Sequence, residues 1–163
     1  MAKCALRRQT PEVGAECPNG ARSDLCGGRS AMGVPTAHAR CAAATPDATA
    51  PDGSEVRLLC ATARGSMALF ALAPGMVSRA VAHRSVEEIW YVARGRGRMW
   101  RCDAAREEIV ELGPGLSIAI PAGTRFQFRA DGEEAIEAVG VTMPPWPGMD
   151  EAYLVEGIWP ATV

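Results

Sequence analysis

Most of the chain after residue 53 is a succession of short apolar runs separated by turn residues. Runs of this length, rich in β-branched and aromatic residues and bounded by Gly, Pro or Asp, are typical of β-strands. The pattern predicts about nine strands, at residues 55–62, 66–72, 79–83, 88–93, 97–102, 107–112, 116–120, 125–129 and 135–142. No convincing amphipathic helical period interrupts them. The predicted fold class is therefore all-β.

The connections between the predicted strands are short. Segments such as 73–75, 113–115 and 131–132 are Gly- or Pro-containing turns, and they are too short for the crossover that parallel strands require. Successive strands must therefore pair antiparallel, and their apolar faces must be buried against each other. The sequence predicts a single antiparallel β-barrel or jelly roll at residues 54–145, with a small-molecule pocket in its interior.

The two ends of the chain differ from this barrel region. Residues 1–53 show no sustained period and are dominated by small residues, Pro and Arg, so we predict a flexible arm that ends in a linker at 42–54. Residues 146–163 are Pro-rich but carry large apolar side chains, namely Trp146, Tyr153, Leu154, Ile158 and Trp159. Their joint exposure would create a large apolar patch. We therefore expect this tail to pack on the barrel or on a dimer partner.

Charge and composition narrow the possible partners. The formal net charge is −2, which gives no basic footprint for nucleic acid, and the arginine-rich run at 94–101 fits a solvated hairpin. No stretch reaches the about 18 to 20 apolar residues of a membrane span. Arg7 and Arg8 are not followed by the apolar run of an export signal. We expect a cytoplasmic protein that interacts with neither nucleic acid nor membrane.

Two segments of the predicted barrel carry motifs with defined spacing: GMVSRAVAHRSVEEIWYVARG at residues 75–95 and GLSIAIPAGTRF at residues 115–126. In both their spacing and their order they resemble the two conserved motifs of the cupin superfamily. The chain is similar to small single-domain cupins over about residues 54–143. The resemblance implies a cupin-type barrel, and it informs on fold better than on activity.

In typical cupins, three histidines and one glutamate of these motifs bind a divalent metal. Here the resemblance assigns those positions to Val81, His83, Glu88 and Phe126, so that two of the four donors are replaced by apolar side chains. A catalytic metal site generally needs three protein ligands. We therefore expect no cofactor. The alternative is Fe, Mn, Ni or Zn bound by His83, Glu88 and an unforeseen ligand such as His38.

Strand pleating selects further pocket residues, because alternate side chains point to the same face. The candidate ligand-binding residues that follow from this parity are Arg79, Val81, Trp90, Phe126 and Phe128. Arg79 in the pocket could hold a carboxylate or phosphate through two parallel hydrogen bonds. In the alternative interpretation, the Arg79 side chain leaves the barrel mouth for solvent.

His83 and Glu88 are the candidate catalytic residues. In an apolar chamber they could pair as ions, or both pKa values could shift toward neutrality and permit acid/base chemistry of an isomerase or epimerase kind. Alternatively they are a buried, hydrogen-bonded remnant. The predicted function is to bind a small organic molecule, such as an organic acid or sugar derivative, and the sequence leaves open whether a reaction follows.

Two other functions remain open from the sequence. One is a metal-dependent cupin dioxygenase or isomerase that uses His83 and Glu88, and the other is a non-catalytic dimeric barrel with a structural or regulatory role. The apolar strands predicted at 55–62 and 66–72 would need cover if they formed a sheet edge. We therefore expect a homodimer.

Overall fold

The computed structural model describes residues 39–163. Its strands are β1 (Ala48–Thr49), β2 (Glu55–Ala61), β3 (Ser66–Leu72), β4 (Val81–His83), β5 (Glu87–Arg94), β6 (Gly97–Cys102), β7 (Glu107–Leu112), β8 (Ser117–Ile120), β9 (Arg125–Ala130), β10 (Ile136–Met143) and β11 (Ala152–Leu154). One turn of 3-10 helix, Met149–Glu151, precedes β11. The nine predicted strands correspond to β2 through β10. The predicted all-β class is confirmed.

The strands form two antiparallel sheets. The six-stranded sheet has the order β1-β2-β3-β10-β5-β8, and the five-stranded sheet has the order β11-β4-β9-β6-β7. The sheets face each other across one hydrophobic core, to which Leu72 and Val92 contribute from the first sheet and Met99 and Phe128 from the second. This arrangement of two facing antiparallel sheets is the predicted jelly-roll architecture.

Burial alternates along the central strands of the six-stranded sheet. In β5, Glu88, Trp90 and Val92 are buried, whereas Ile89 and Tyr91 between them are exposed. The same alternation runs along β10, which lies between β3 and β5. The pleat therefore decides which side chains enter the space between the sheets.

The strand predicted at 79–83 begins later than expected. Before β4, Ser78 is bonded to Phe128 twice: its N–H donates to the Phe128 carbonyl, and its hydroxyl accepts from the Phe128 N–H at 3.0 Å. The next N–H, that of Arg79, turns to the Asp52 carbonyl at 2.8 Å. The ladder with β9 resumes only at Val81. The regular alternation that would have directed Arg79 inward therefore does not extend to that residue.

The segment predicted as a linker contributes to the barrel wall. Strand β1 pairs with β2, and the following turn buries Asp52 and Ser54. The Asp52 carboxylate accepts hydrogen bonds from the Ser54 N–H at 2.8 Å and from its hydroxyl at 2.7 Å. Two local bonds to one carboxylate oxygen fix the turn. The predicted arm at 1–38 lies outside the described residues.

The tail lies against its own chain. Strand β11 pairs with β4. After β11, the tail backbone is hydrogen-bonded to the side-chain amide of Gln127 in β9. Its Nε2 donates to the carbonyls of Ser78 and Trp159 at 2.8 Å each, and its Oε1 accepts from the N–H groups of Ile158 and Trp159. A buried amide thus satisfies its hydrogen bonds with the tail backbone. Leu154 and Ile158 stay exposed.

The outward face of the six-stranded sheet carries exposed apolar side chains, including Met67, Ile89 and Tyr91.

The homodimer and the cytoplasmic location stay predictions. None of the described residues belongs to a helix that could cross a membrane, since no helix there is both long and apolar enough.

Candidate functional site

A cavity of about 780 Å³ opens between the two sheets. Its walls come from β1 to β5, β9 and β10, and the loop at 145–149 closes one side. The volume lies within the range of small-molecule sites, about 300–1,000 Å³. Most of the lining is apolar, and in the described part of the chain the ionisable side chains that line it are Arg40, Asp52, His83 and Glu88.

Five residues predicted for the site line this cavity: Val81, His83, Glu88, Trp90 and Phe126. Phe128 lies deeper, fully buried, with its ring at 5.1 Å from that of Trp90 in an edge-on contact. Phe128 therefore supports the pocket wall without lining the pocket.

Arg79 is the predicted site residue that the structure directs elsewhere. Its side chain is exposed, and its guanidinium donates to the carbonyls of Pro51 and Val163 at 3.4 and 3.3 Å. The break in the strand before Val81 explains this direction. The alternative of an arginine that leaves the barrel describes its observed direction, and the bidentate grip on a ligand carboxylate stays a prediction.

His83 sits among aromatic rings. Its imidazole meets the edges of Phe126 at 5.3 Å and Trp146 at 5.2 Å between centroids. Burial lowers the pKa of His83 to about 4, and the nearby carboxylate of Glu151 offsets part of that effect. Its buried Nδ1 has no hydrogen-bond partner within residues 39–163. At neutral pH His83 is thus an uncharged imidazole with an unsatisfied nitrogen.

Glu88 has a different set of neighbours. Its carboxylate accepts a hydrogen bond from Nε1 of Trp90 at 2.7 Å. Burial raises the pKa of Glu88 to about 7, the Trp90 bond lowers it, and the charge of Asp52 raises it further. A carboxyl group with this pKa can both donate and accept a proton near neutral pH.

His83 and Glu88 line the same cavity but do not form the predicted pair. Among the described residues no hydrogen bond or ion pair joins them; Glu88 is bonded to Trp90, and His83 interacts electrostatically with Glu151. Only Glu88 shifts toward neutrality, whereas the pKa of His83 moves away from it. In this structure each group is buried with its own partners, which favours neither the ion pair nor the joint shift toward neutrality, and the catalytic role of the two residues stays a prediction.

Glu151 fixes the turn that leads from His83 to Glu88. Its carboxylate accepts from the N–H groups of Ser85 at 2.6 Å and Val86 at 2.7 Å. Burial alone would raise the pKa of Glu151, but these two bonds and the Ser85 hydroxyl together lower it. An ionised Glu151 from the tail thus holds the connection between the two candidate residues.

Asp52 is a cavity residue that the sequence analysis missed. It is buried beside Ser54, and burial raises its pKa, while the Ser54 bonds and the charge of Arg79 lower it. Its segment is rich in Pro, Gly and Asp, which favoured a linker. The available signal was the Asp-Gly-Ser order, typical of a turn in which the Asp side chain bonds the backbone two residues later.

Aromatic rings form much of the remaining wall. Phe70 and Trp90 are stacked, with centroids 5.1 Å apart and planes inclined by 10°. Gly140 makes room for this stack, because a Cβ there would lie 2.6 Å from a Phe70 ring carbon. Phe126 and Trp146 line the cavity near His83. Most of the contact surface offered to a ligand is therefore apolar and rigid.

The residues present do not fit the divalent metal that typical cupins bind. No group of three or more His, Cys, Asp or Glu side chains within residues 39–163 is arranged to hold a metal ion. Val81 and Phe126 stand at two of the donor positions, and one carboxylate oxygen of Glu88 is bonded to Trp90. His38, suggested as a further ligand, lies outside the described residues. Two donors fall short of the three that a catalytic site generally uses.

Two facing antiparallel sheets around a ligand-sized cavity define a jelly-roll barrel with an interior cavity. Residues 68–142 match the family model described as Cupin domain. Together with the fold, this match supports a cupin-superfamily domain and confirms the resemblance of the two motifs. A comparison with curated proteins gives no significant match.

Solved structures share the fold at low sequence identity. An uncharacterized conserved protein with a double-stranded beta-helix domain from Klebsiella pneumoniae has a TM-score of 0.54 and 17% identity, over 64% of this chain and 85% of that one. Oxalate decarboxylase from Bacillus subtilis has a TM-score of 0.57 and 19% identity, over 66% of this chain and 29% of that one. Streptomyces PAC13, solved with uridine, has a TM-score of 0.53 and 16% identity, over 66% of this chain and 82% of that one. These likenesses establish the fold alone.

Proposed function

We propose that this cupin domain binds a small organic molecule between its sheets without a metal ion. The observation that carries the proposal is the cavity of about 780 Å³, into which the fold brings buried polar groups of Asp52, His83 and Glu88. Buried ionisable groups lower stability unless they are compensated. Their concentration in one ligand-sized cavity is typical of a binding or catalytic site.

The lining narrows the ligands proposed from the sequence. An organic acid would meet the carboxyl groups of Asp52 and Glu88, while Arg79, its expected partner, bonds outside the cavity. A sugar derivative or another polar molecule without negative charge fits better, since hydroxyl groups can bond to carboxyl and imidazole groups.

Proton transfer is the chemistry that the proposed site could perform. Glu88, with a pKa near 7, is suited to move a proton to and from a bound molecule, as in an isomerase. His83 is uncharged at neutral pH, so it would bond or orient the ligand. Trp90 would hold the Glu88 carboxyl in position through its indole N–H.

A thermal-shift screen with a filled-cavity variant tests the binding function. Ala68 lines the cavity, whereas Leu69 does not, so Ala68→Phe should abolish ligand-induced shifts and Leu69→Phe should retain them. A ligand at 100 times its dissociation constant stabilises by about 2.7 kcal/mol, a melting shift on the order of 5–10 °C. Ala68→Leu provides a milder variant if Phe prevents folding.

Two results would contradict the proposal. If neutral, anionic and cationic ligands all fail to shift the melting temperature of the wild-type protein, that result would favour a non-catalytic barrel. Near-stoichiometric iron, manganese, nickel or zinc in protein purified without chelator, lost in His83→Ala, would favour the metal-dependent alternative over the metal-independent function.

A further inference from the structure

The cavity wall contains two buried carboxyl groups. Asp52 and Glu88 both line it, and each is at most 4% exposed. They lie close enough for the charge of Asp52 to act on Glu88. An ionised carboxylate in such a place needs a compensating positive charge.

In the described part of the chain, no basic side chain near the cavity forms an ion pair with Asp52 or Glu88. Arg40 lines the cavity but is ion-paired with Asp47 at 2.8 Å. Arg79 attracts Asp52 electrostatically from outside, yet within residues 39–163 it forms no ion pair with it and donates to backbone carbonyls instead. His83 is uncharged at neutral pH because burial lowers its pKa to about 4.

The other walls suit an organic cation. The stacked rings of Phe70 and Trp90, together with Phe126 and Trp146, line the cavity. Aromatic faces attract cations in desolvated sites. His83 is only 5% exposed and its Nδ1 has no partner among the described residues. A neutral imidazole can accept a hydrogen bond from an N–H donor.

We propose that the occupant is an organic amine, bound in its protonated form by the carboxylates of Asp52 and Glu88, with its apolar part against the aromatic wall. This proposal rests on the binding function proposed above and names its ligand class. An ammonium group supplies both positive charge for the two buried carboxylates and an N–H donor for the imidazole of His83. A carboxylate ligand would add a third negative group to the same space.

Three probes that share a phenylethyl frame and differ in charge test the ligand class: 2-phenylethylamine, 2-phenylethanol and 3-phenylpropionate. Titration calorimetry at pH 8 and low salt should give at least about tenfold tighter binding for the amine than for the alcohol, equal to about 1.4 kcal/mol. The carboxylate should not bind. Added salt should weaken amine binding, because the attraction is between charges.

Isosteric variants locate the effect. Asp52→Asn and Glu88→Gln keep the oxygen acceptors for Ser54 and Trp90 but remove charge, so each should reduce the preference for the amine over the alcohol by at least about threefold. Glu87→Gln, at the adjacent and exposed position of β5, is the matched control and should leave the preference unchanged.

The outcomes separate this proposal from the binding function. A preference for the alcohol or the carboxylate, or an amine preference that survives both isosteric substitutions, would overturn the amine assignment while the binding function stands. Ligand hits confined to neutral or anionic compounds would do the same. If neither the three probes nor the broader thermal-shift screen gives binding, both proposals fail.

Discussion

The space between the sheets is packed in one region and open in another, although the same strands serve both. Along β5, Glu88 and Trp90 line the cavity, whereas Val92, two residues farther, is buried in the hydrophobic core. Along β9, Phe126 and Phe128 are both fully buried, but only Phe126 lines the cavity. One step of the pleat therefore separates the packed region from the open region.

The packed region and the open region have opposite effects on the stability of the fold. The packed region consists of apolar side chains such as Val92, Met99 and Phe128, whose burial favours folding. The open region contains Asp52 and Glu88, whose burial opposes folding when they are ionised. A barrel of this size can hold costly groups in one part because the other part compensates for them.

The largest expected difference between the regions comes from truncating their two phenylalanines. Phe128→Ala should lower the free energy of unfolding by about 3–5 kcal/mol, because it opens a new void among packed neighbours. Phe126→Ala widens an existing cavity, so it should lower the free energy of unfolding only by the lost burial of the apolar ring, about 2 kcal/mol. Urea denaturation of both variants measures the difference. Equal losses would mean that the two regions are equally packed.

The second prediction concerns Glu88. Because its pKa is about 7 in the folded protein and 4.5 in the unfolded chain, its contribution is fully present below pH 4.5 and is lost as pH rises through 7. Glu88→Gln, which cannot ionise, should therefore be more stable than wild type by about 3 kcal/mol at pH 8 and by only about 1 kcal/mol at pH 5. Denaturation curves at both pH values measure this, with Glu87→Gln as the exposed control.

A pH-independent difference, or none, would show that Glu88 is not buried as a neutral acid. That result would also remove the basis for its role in proton transfer, while leaving the cavity and its walls unaffected.

The smallest expected effect comes from His83. Its pKa is about 4 when folded and 6.5 when unfolded, so its contribution is present above 6.5 and is lost as pH falls through 4. At pH 5 the loss should be about 2 kcal/mol relative to pH 8. Because Glu88 has the opposite dependence, the comparison is between Glu88→Gln and the double variant Glu88→Gln with His83→Asn. The double variant should lose about 2 kcal/mol less on acidification; an equal loss would contradict the buried neutral imidazole.

The sequence predicted the strands from local periodicity, and five of its seven candidate site residues line the cavity. His83, Glu88 and Trp90 face the cavity as the pleat requires. The alternation of side chains along a strand gave the wrong direction for Arg79, because hydrogen bonds to backbone carbonyls 28 and 84 residues away determine where its side chain points. Asp52 was missed because a turn that packs on distant strands has the same composition as a linker. Periodicity is local, whereas these contacts depend on the closed fold.

Gly140 sets the depth of the cavity beside the stacked rings of Phe70 and Trp90. A Cβ at this position would lie 2.6 Å from Phe70 and 3.2 Å from Trp90, so any larger residue must displace the stacked rings. The rings form the cavity wall, and their displacement would reduce its depth. A methyl group added at Gly140 would therefore leave room only for smaller molecules. Homologous barrels that differ at this position are expected to accept smaller molecules with the same polar groups.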